Sequence, residues 1–220
     1  KLIKRQIENK KRLIKNIQLL IDRKTFRAFQ IANTAMLIQF IISNDDSFSN
    51  KEKDLSELSK NAEYNSLNYF KDYNPSLTFR FIPKYRPFQL AFFLICIEEI
   101  VHPESRKENN IVDLIWFPTG GGKTEAYLAV TAFTIVFRRM NSIDFIGTTV
   151  IMRYTLRLLT AQQFERASRL ITALEFLRLQ NEFEQDLKKG DGNEITIGLW
   201  VGQASTPNTI ENPKELYNGD

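Results

Sequence analysis

The chain has 220 residues, 43% hydrophobic and 25% charged, a balance that excludes a disordered or collagen-like polypeptide. One cysteine, Cys96, and one histidine, His102, exclude an internal disulfide framework, a cysteine-only zinc cluster and a histidine-rich metal centre. Net charge is only +4, yet residues 1–30 carry ten Lys or Arg against Glu8 and Asp22, so an end of +8 joins a body of −4.

Such a basic end suits a polyanionic partner, or else forms a solvated helix face. No apolar run reaches the ~20 residues of a membrane span. The N-terminus also lacks the apolar core and small-residue cleavage site of a secretion signal, so a cytoplasmic protein with no membrane role is expected. The chain opens on Lys1 and closes on the turn-rich stretch Pro207-Asn208 to Asn218-Gly219-Asp220, which predicts an excerpt of something longer.

In chain order, residues 1–42 read as helix. Ile3, Ile7, Ile14, Ile17 and Ile21 recur at three- and four-residue steps, interrupted by Lys10, and Phe26 to Ile42 continues or partners that helix. Residues 43–64 are polar and acidic, and residues 65–87 form an irregular connector rich in Tyr, Asn and Pro. Residues 88–100 predict an apolar helix, and Ile111 to Phe117 a buried strand. Residues 122–140 predict a helix apolar almost all round, which belongs inside a larger body. Gly147 to Met152 predicts a second buried strand. Residues 155–184 predict a long helix with Phe164, Ala167, Ile171 and Leu174 on one face. Glu194 to Gly202 predicts a third strand, alternating Ile195, Ile197, Leu199 and Val201 with Thr196, Gly198 and Trp200. That order predicts an α/β fold with a parallel sheet covered by helices.

Chemistry concentrates in Phe117-Pro118-Thr119-Gly120-Gly121-Gly122-Lys123-Thr124, between a predicted strand and a predicted helix. Three glycines let backbone amides turn around an anion, and the following helix adds its positive end. Lys123 can reach the β- and γ-phosphates of a nucleotide, and the Thr124 hydroxyl can coordinate Mg²⁺. Phe117 stands where the full G-x-x-x-x-G-K-T pattern has its first glycine. Upstream, Tyr85-Arg86-Pro87-Phe88-Gln89 opens a helix. Its Gln89 amide offers both a donor and an acceptor to an adenine edge, with Phe88 or Tyr85 free to stack on the base; alternatively Gln89 is a surface residue at a helix start. Downstream, Arg153-Tyr154-Thr155-Leu156-Arg157 to Gln162-Gln163 places a hydroxyl, amides and arginines at a helix start. That combination holds a nucleic-acid phosphate, or simply caps a helix with solvated arginines. Cys96 reads as core, His102 as surface, and Glu98 and Glu99 precede the glycine turn, where a metal-holding acidic box does not belong.

The form P-T-G-x-G-K-T resembles motif I of superfamily 2 helicases and translocases. Arg86-Pro87-Phe88-Gln89 resembles the R-P-x-Q element that precedes it. The 153–162 stretch resembles a variant of motif Ia, with Tyr154 in place of proline and Gln162 displaced by one residue. Gly202-Gln203 weakly resembles a following G-G turn. Together with Val112 to Tyr127, Met152 to Leu159 and Gly198 to Gly202, these resemble the DrmA family, superfamily 2 helicase-like subunits of DISARM anti-phage systems, over about residues 26–210.

That resemblance implies a helical segment and connector at 1–84, then the first part of a RecA-like P-loop lobe at 85–220. It implies an ATP hydrolase acting as a DNA helicase or translocase, with ATP and Mg as cofactors and with DNA and a DrmB-type subunit as partners. It places nucleotide contacts at Arg86, Phe88, Gln89, Thr119, Gly120, Gly121, Gly122, Lys123, Thr124 and Glu125. Catalytic weight falls on Lys123 and Thr124, and nucleic-acid contacts on Arg153, Thr155, Arg157 and Gln162. An RNA-directed motor and a non-catalytic scaffold docking through residues 1–42 are the alternatives. No D-E box follows residue 124 and no arginine finger is recognised, so the chain alone is expected to bind ATP weakly and to hydrolyse it negligibly.

Overall fold

The structure is a computed structural model that describes residues 2–44, 84–104, 112–118, 120–142, 145–154, 157–190 and 192–200. The helices are α1 (Leu2–Leu19), α2 (Arg23–Asn44), α3 (Pro87–Ile95), α4 (Ile97–Val101), α5 (Lys123–Asn141) and α6 (Arg157–Leu179), followed by a 3₁₀ turn at Asn181–Phe183. The acidic stretch after Asn44, most of the connector and the Gly202 turn lie outside the described residues. No described helix is long and apolar enough to cross a membrane.

The core sits where α2 crosses α5. Ala28, Ala32 and Ala35 of α2, and Ala126, Ala129 and Ala132 of α5, are fully buried. Small side chains let two helix backbones approach, and α5 makes its broadest interface with α2. Ile31, Ile38 and Ile41 fill the space around them, with Leu170, Leu174 and Leu177 from α6 and Phe93 from α3. Phe93 meets Phe133 edge-on at 5.8 Å and lies stacked against Phe29 at 5.2 Å. The predicted all-round apolar helix is α5, and it is indeed interior.

A turn at Leu20–Asp22 separates α1 from α2. The Asp22 carboxylate accepts the Thr25 N–H at 2.8 Å and the Thr25 hydroxyl at 2.9 Å, capping α2. These bonds, the Thr25 N–H first, hold the Asp22 carboxyl below its ordinary range. The first helix attaches to the body through polar groups. Asn16, fully buried, donates from Nδ2 to the carbonyls of Leu94 (3.0 Å) and Ile95 (2.7 Å), beside the bend where α3 gives way to α4 at Cys96. The Arg12 guanidinium spans both oxygens of Asp113, at 2.6 and 2.9 Å, and also reaches Glu99. Lys15 pairs with Glu98. The two adjacent acids thus anchor the first helix.

The parallel sheet expected from the sequence is absent: among the described residues there is no strand and no bridge. The predicted strands at 112–117, 147–152 and 194–200 are extended, but no backbone hydrogen bond joins them. In the first of them the alternation survives as one side turned inward and one outward, whereas in 194–200 Ile195 is buried but Ile197 and Leu199 are exposed like their neighbours. Asp113 and Ile115 are half-buried, whereas Val112, Leu114 and Trp116 are more than four-fifths exposed. A run of apolar residues dictates extended backbone with a side to bury, but a strand also needs a neighbour offering its N–H and C=O groups. Among the described residues no such neighbour is paired. The described architecture is therefore helical, and the reading as a parallel-sheet RecA-like lobe is corrected on this point. The end of the extended segment 193–200 that lies nearest the helices is held by side chains instead. Arg139, buried on α5, donates to the carbonyls of Leu187 (2.9 Å) and Glu194 (3.1 Å), and Glu175 accepts the Ile195 N–H at 2.9 Å. The bidentate Arg178 guanidinium, with that N–H, keeps the Glu175 carboxyl below its usual range.

Candidate functional site at the glycine turn

The turn lies between the extended segment 112–118 and the first residue of α5. Gly120 and Gly122 adopt φ of +77° and +87°, which L side chains rarely reach. At Gly122 a Cβ would also stand 2.7 Å from the Gln89 amide nitrogen, and at Gly121 one would stand 2.9 Å from the Pro118 carbonyl oxygen. The Gly121 N–H donates to that same oxygen at 3.1 Å. Gly122 is the N-cap residue of α5, and no side chain caps the helix. The end of a 19-residue helix, with its orphan amides and its partial positive charge, thus opens directly onto the turn.

Lys123 is exposed in part and folds back over the turn. Its ammonium donates to the carbonyls of Phe117 (2.6 Å) and Pro118 (3.1 Å), the oxygens available to it on this segment. Thr124 donates its hydroxyl to Gln163 Oε1 at 3.1 Å, so the hydroxyl lone pairs stay open to a cation. Glu125 forms an ion pair with Arg166. Burial pulls the Arg166 guanidinium down from its ordinary range, with Arg169 adding to the effect. Gln163 and Arg166, one turn apart on α6, therefore bind two successive residues of α5 just behind the glycines.

Arg86, Phe88 and Gln89 also converge here. The Arg86 guanidinium donates to the Gly121 carbonyl at 2.8 Å. The nearly buried Gln89 amide is used at both ends: Nε2 donates to the Gly122 carbonyl at 2.7 Å, and Oε1 accepts the Arg86 N–H at 2.7 Å, closing the first turn of α3. Phe88 stacks on Phe117 with ring centroids 3.8 Å apart, which forms an aromatic ledge beside the glycines. Tyr85 packs against the core, and burial pushes its hydroxyl well above the usual phenol range.

Of the residues expected at the site, Arg86, Phe88, Gln89, Gly120, Gly121, Gly122, Lys123, Thr124 and Glu125 form one cluster. Thr119 and Thr155 lie outside the described residues, and the Arg157 side chain is not described. Arg153 and Gln162 are exposed, away from the contacts just given. Sequence reasoning missed Gln163 and Arg166. The signal was the three-residue step on α6, which carries Gln163 to the inner face and its neighbour Gln162 to the outer one. Cys96 is half-buried with Sγ 4.0 Å from Asp113 Oδ2, and His102 lies at the surface 3.4 Å from Glu104. Among the described residues no three His, Cys, Asp or Glu side chains gather as a metal site.

A glycine turn that delivers a Lys-Thr pair to an uncapped helix end has the backbone and charge features from which anion-binding turns are built. No family model matches the chain, and no solved structure matches it. Over 139 residues, 60% of its length, the chain is 45% identical to the DISARM protein DrmA of Bacillus paralicheniformis. The resemblance read from the motifs holds: the chain is DrmA-like over that stretch, and it spans 12% of that curated relative.

Proposed function

We propose that this chain supplies the triphosphate-gripping turn of an ATP-dependent DNA helicase or translocase in DISARM-type anti-phage defence, working with partner subunits of the DrmB type. The observation that carries the reading is the turn itself. Gly120 and Gly122 hold left-handed conformations, and they end on an uncapped helix terminus beside Lys123. The donor set fits a triphosphate with Mg²⁺. Lys123 exchanges two neutral carbonyl acceptors for charged phosphate oxygens, and charge-assisted bonds are roughly twice as strong as neutral ones. Thr124, its hydroxyl oriented by Gln163, would hold the cation through its oxygen lone pairs. When bound there, magnesium would supply neutralisation of the phosphate charge. Gln89 and Arg86 brace the Gly122 and Gly121 carbonyls, which holds the turn in its shape. Arg153 and Gln162, both exposed, are the described candidates for holding a DNA phosphate.

The test is DNA-stimulated phosphate release by the intact protein. Lys123→Ala is expected to reduce turnover at least about a hundredfold while leaving the circular dichroism spectrum unchanged. Turnover equal to that of the unaltered protein would reject the assignment.

A further inference from the structure

The first helix wears its apolar face outward. Ile3, Ile7, Ile14 and Ile17 are 72, 50, 48 and 45% exposed, with Ile21 (84%) in the turn that follows, whereas the opposite face carries Arg12, Asn16 and Leu19 into the body. The outward residues follow a strict heptad. Ile7 and Ile14 stand seven residues apart, as do Ile3, Lys10 and Ile17, with the two sets offset by four and three; Ile21 continues the spacing into the turn after the helix. That is an a/d seam with isoleucine at every a position and a single lysine at d. Four exposed isoleucines in one line on a helix are more than the scattered apolar residues of an ordinary surface. The ion pairs of Arg12 and Lys15 and the Asn16 bonds fix the helix so that this seam points away from the core.

We propose that this seam docks an acidic amphipathic helix of another protein, in a short coiled coil with a carboxylate opposite Lys10. Charge selects the occupant. Lys10 sits within the seam, and Lys4 and Lys11 run along one flank at positions that face a partner's flank. Glu8 is the sole acid in the helix. A second copy of this chain is disfavoured in either direction. In-register parallel pairing sets Lys10 on Lys10, and antiparallel pairing sets the flank of Lys4 and Lys11 against the same lysine-bearing flank of the other copy. A lipid surface is disfavoured by side-chain type. Interfacial helices carry Trp, Phe or Leu on the apolar face and keep lysines to the polar side, whereas this face is β-branched with a lysine in its midst.

The experiment titrates the intact protein with two synthetic helices about three heptads long. Both carry Leu or Ile at a and d and Glu at the flanking positions; one has Glu and the other Lys at the site that faces Lys10. The Glu peptide is expected to bind one-to-one, at least about tenfold tighter than the Lys peptide. Lys10→Glu should invert that preference, and Ile7→Asp with Ile14→Asp should abolish binding with an unchanged circular dichroism spectrum. Ile7→Ser with Ile14→Ser replaces the latter should the charged variant misfold. Equal affinity for the two peptides, or binding to neither, overturns the proposal. So does concentration-dependent self-association lost in the same variants, or tighter binding to phosphatidylserine vesicles than to the Glu peptide.

Discussion

Consecutive helices α1 and α2 use isoleucine in opposite ways. In α2, Ile31, Ile38 and Ile41 are sealed in the core among alanines of α5. In α1 the isoleucines face solvent, and the helix is held by an asparagine, an arginine and a lysine bonding to carbonyls and carboxylates. Periodicity reveals that a helix has an apolar face. Which face meets the body is decided by the partners it finds, and one buried Asn16 with two carbonyl acceptors outweighs a row of isoleucines that has no cavity to fill.

The sharpest way to break this contrast is one substitution made twice. Ile31→Ala should cost about 3 kcal/mol, because it removes buried methylenes and leaves a void that close-packed alanines cannot collapse. It is read from a denaturant midpoint. Asn16→Ala should come next, at about 2 kcal/mol, because the Leu94 and Ile95 carbonyls lose their donor in a dry site. Its signature is earlier proteolysis within α1 than elsewhere. Asp22→Ala, at the junction of the two helices, should cost about 1 kcal/mol at neutral pH through loss of the cap. The Asp22 carboxyl titrates below its ordinary value when folded. Its contribution is therefore complete above the unfolded value of 3.8 and fades as pH falls through the lower folded one, so the variant and the parent should converge in acid. Ile14→Ala should change stability by less than about 0.5 kcal/mol, the same chemical deletion as at Ile31 but with nothing packed on it. A cost at Ile14 equal to that at Ile31 would erase the contrast.

The helices were legible because each repeats apolar residues at three or four, and the observed ends fall near those expected. The glycine turn was legible because Gly-Gly-Gly-Lys-Thr before a helix has few other uses. The sheet was misread for a physical reason. Ile115 and Ile195 do turn inward, but alternation records which side is buried, not whether the backbone has a ladder partner. Gln89 was readable as important but not in its observed bonds, because its acceptor at Gly122 lies 33 residues away in sequence. Gln163 was hidden by Gln162 beside it, since only the packing of α6 on α5 decides which of two adjacent amides meets Thr124.

Helix α3 is a rigid tie-rod. Its nine residues span about 13 Å. At its leading end Gln89 grips the Gly122 carbonyl, and at its trailing end Leu94 and Ile95 are clasped by Asn16. The loop ahead of Lys123 and the isoleucine-bearing rod at the N-terminus are therefore mechanically in series.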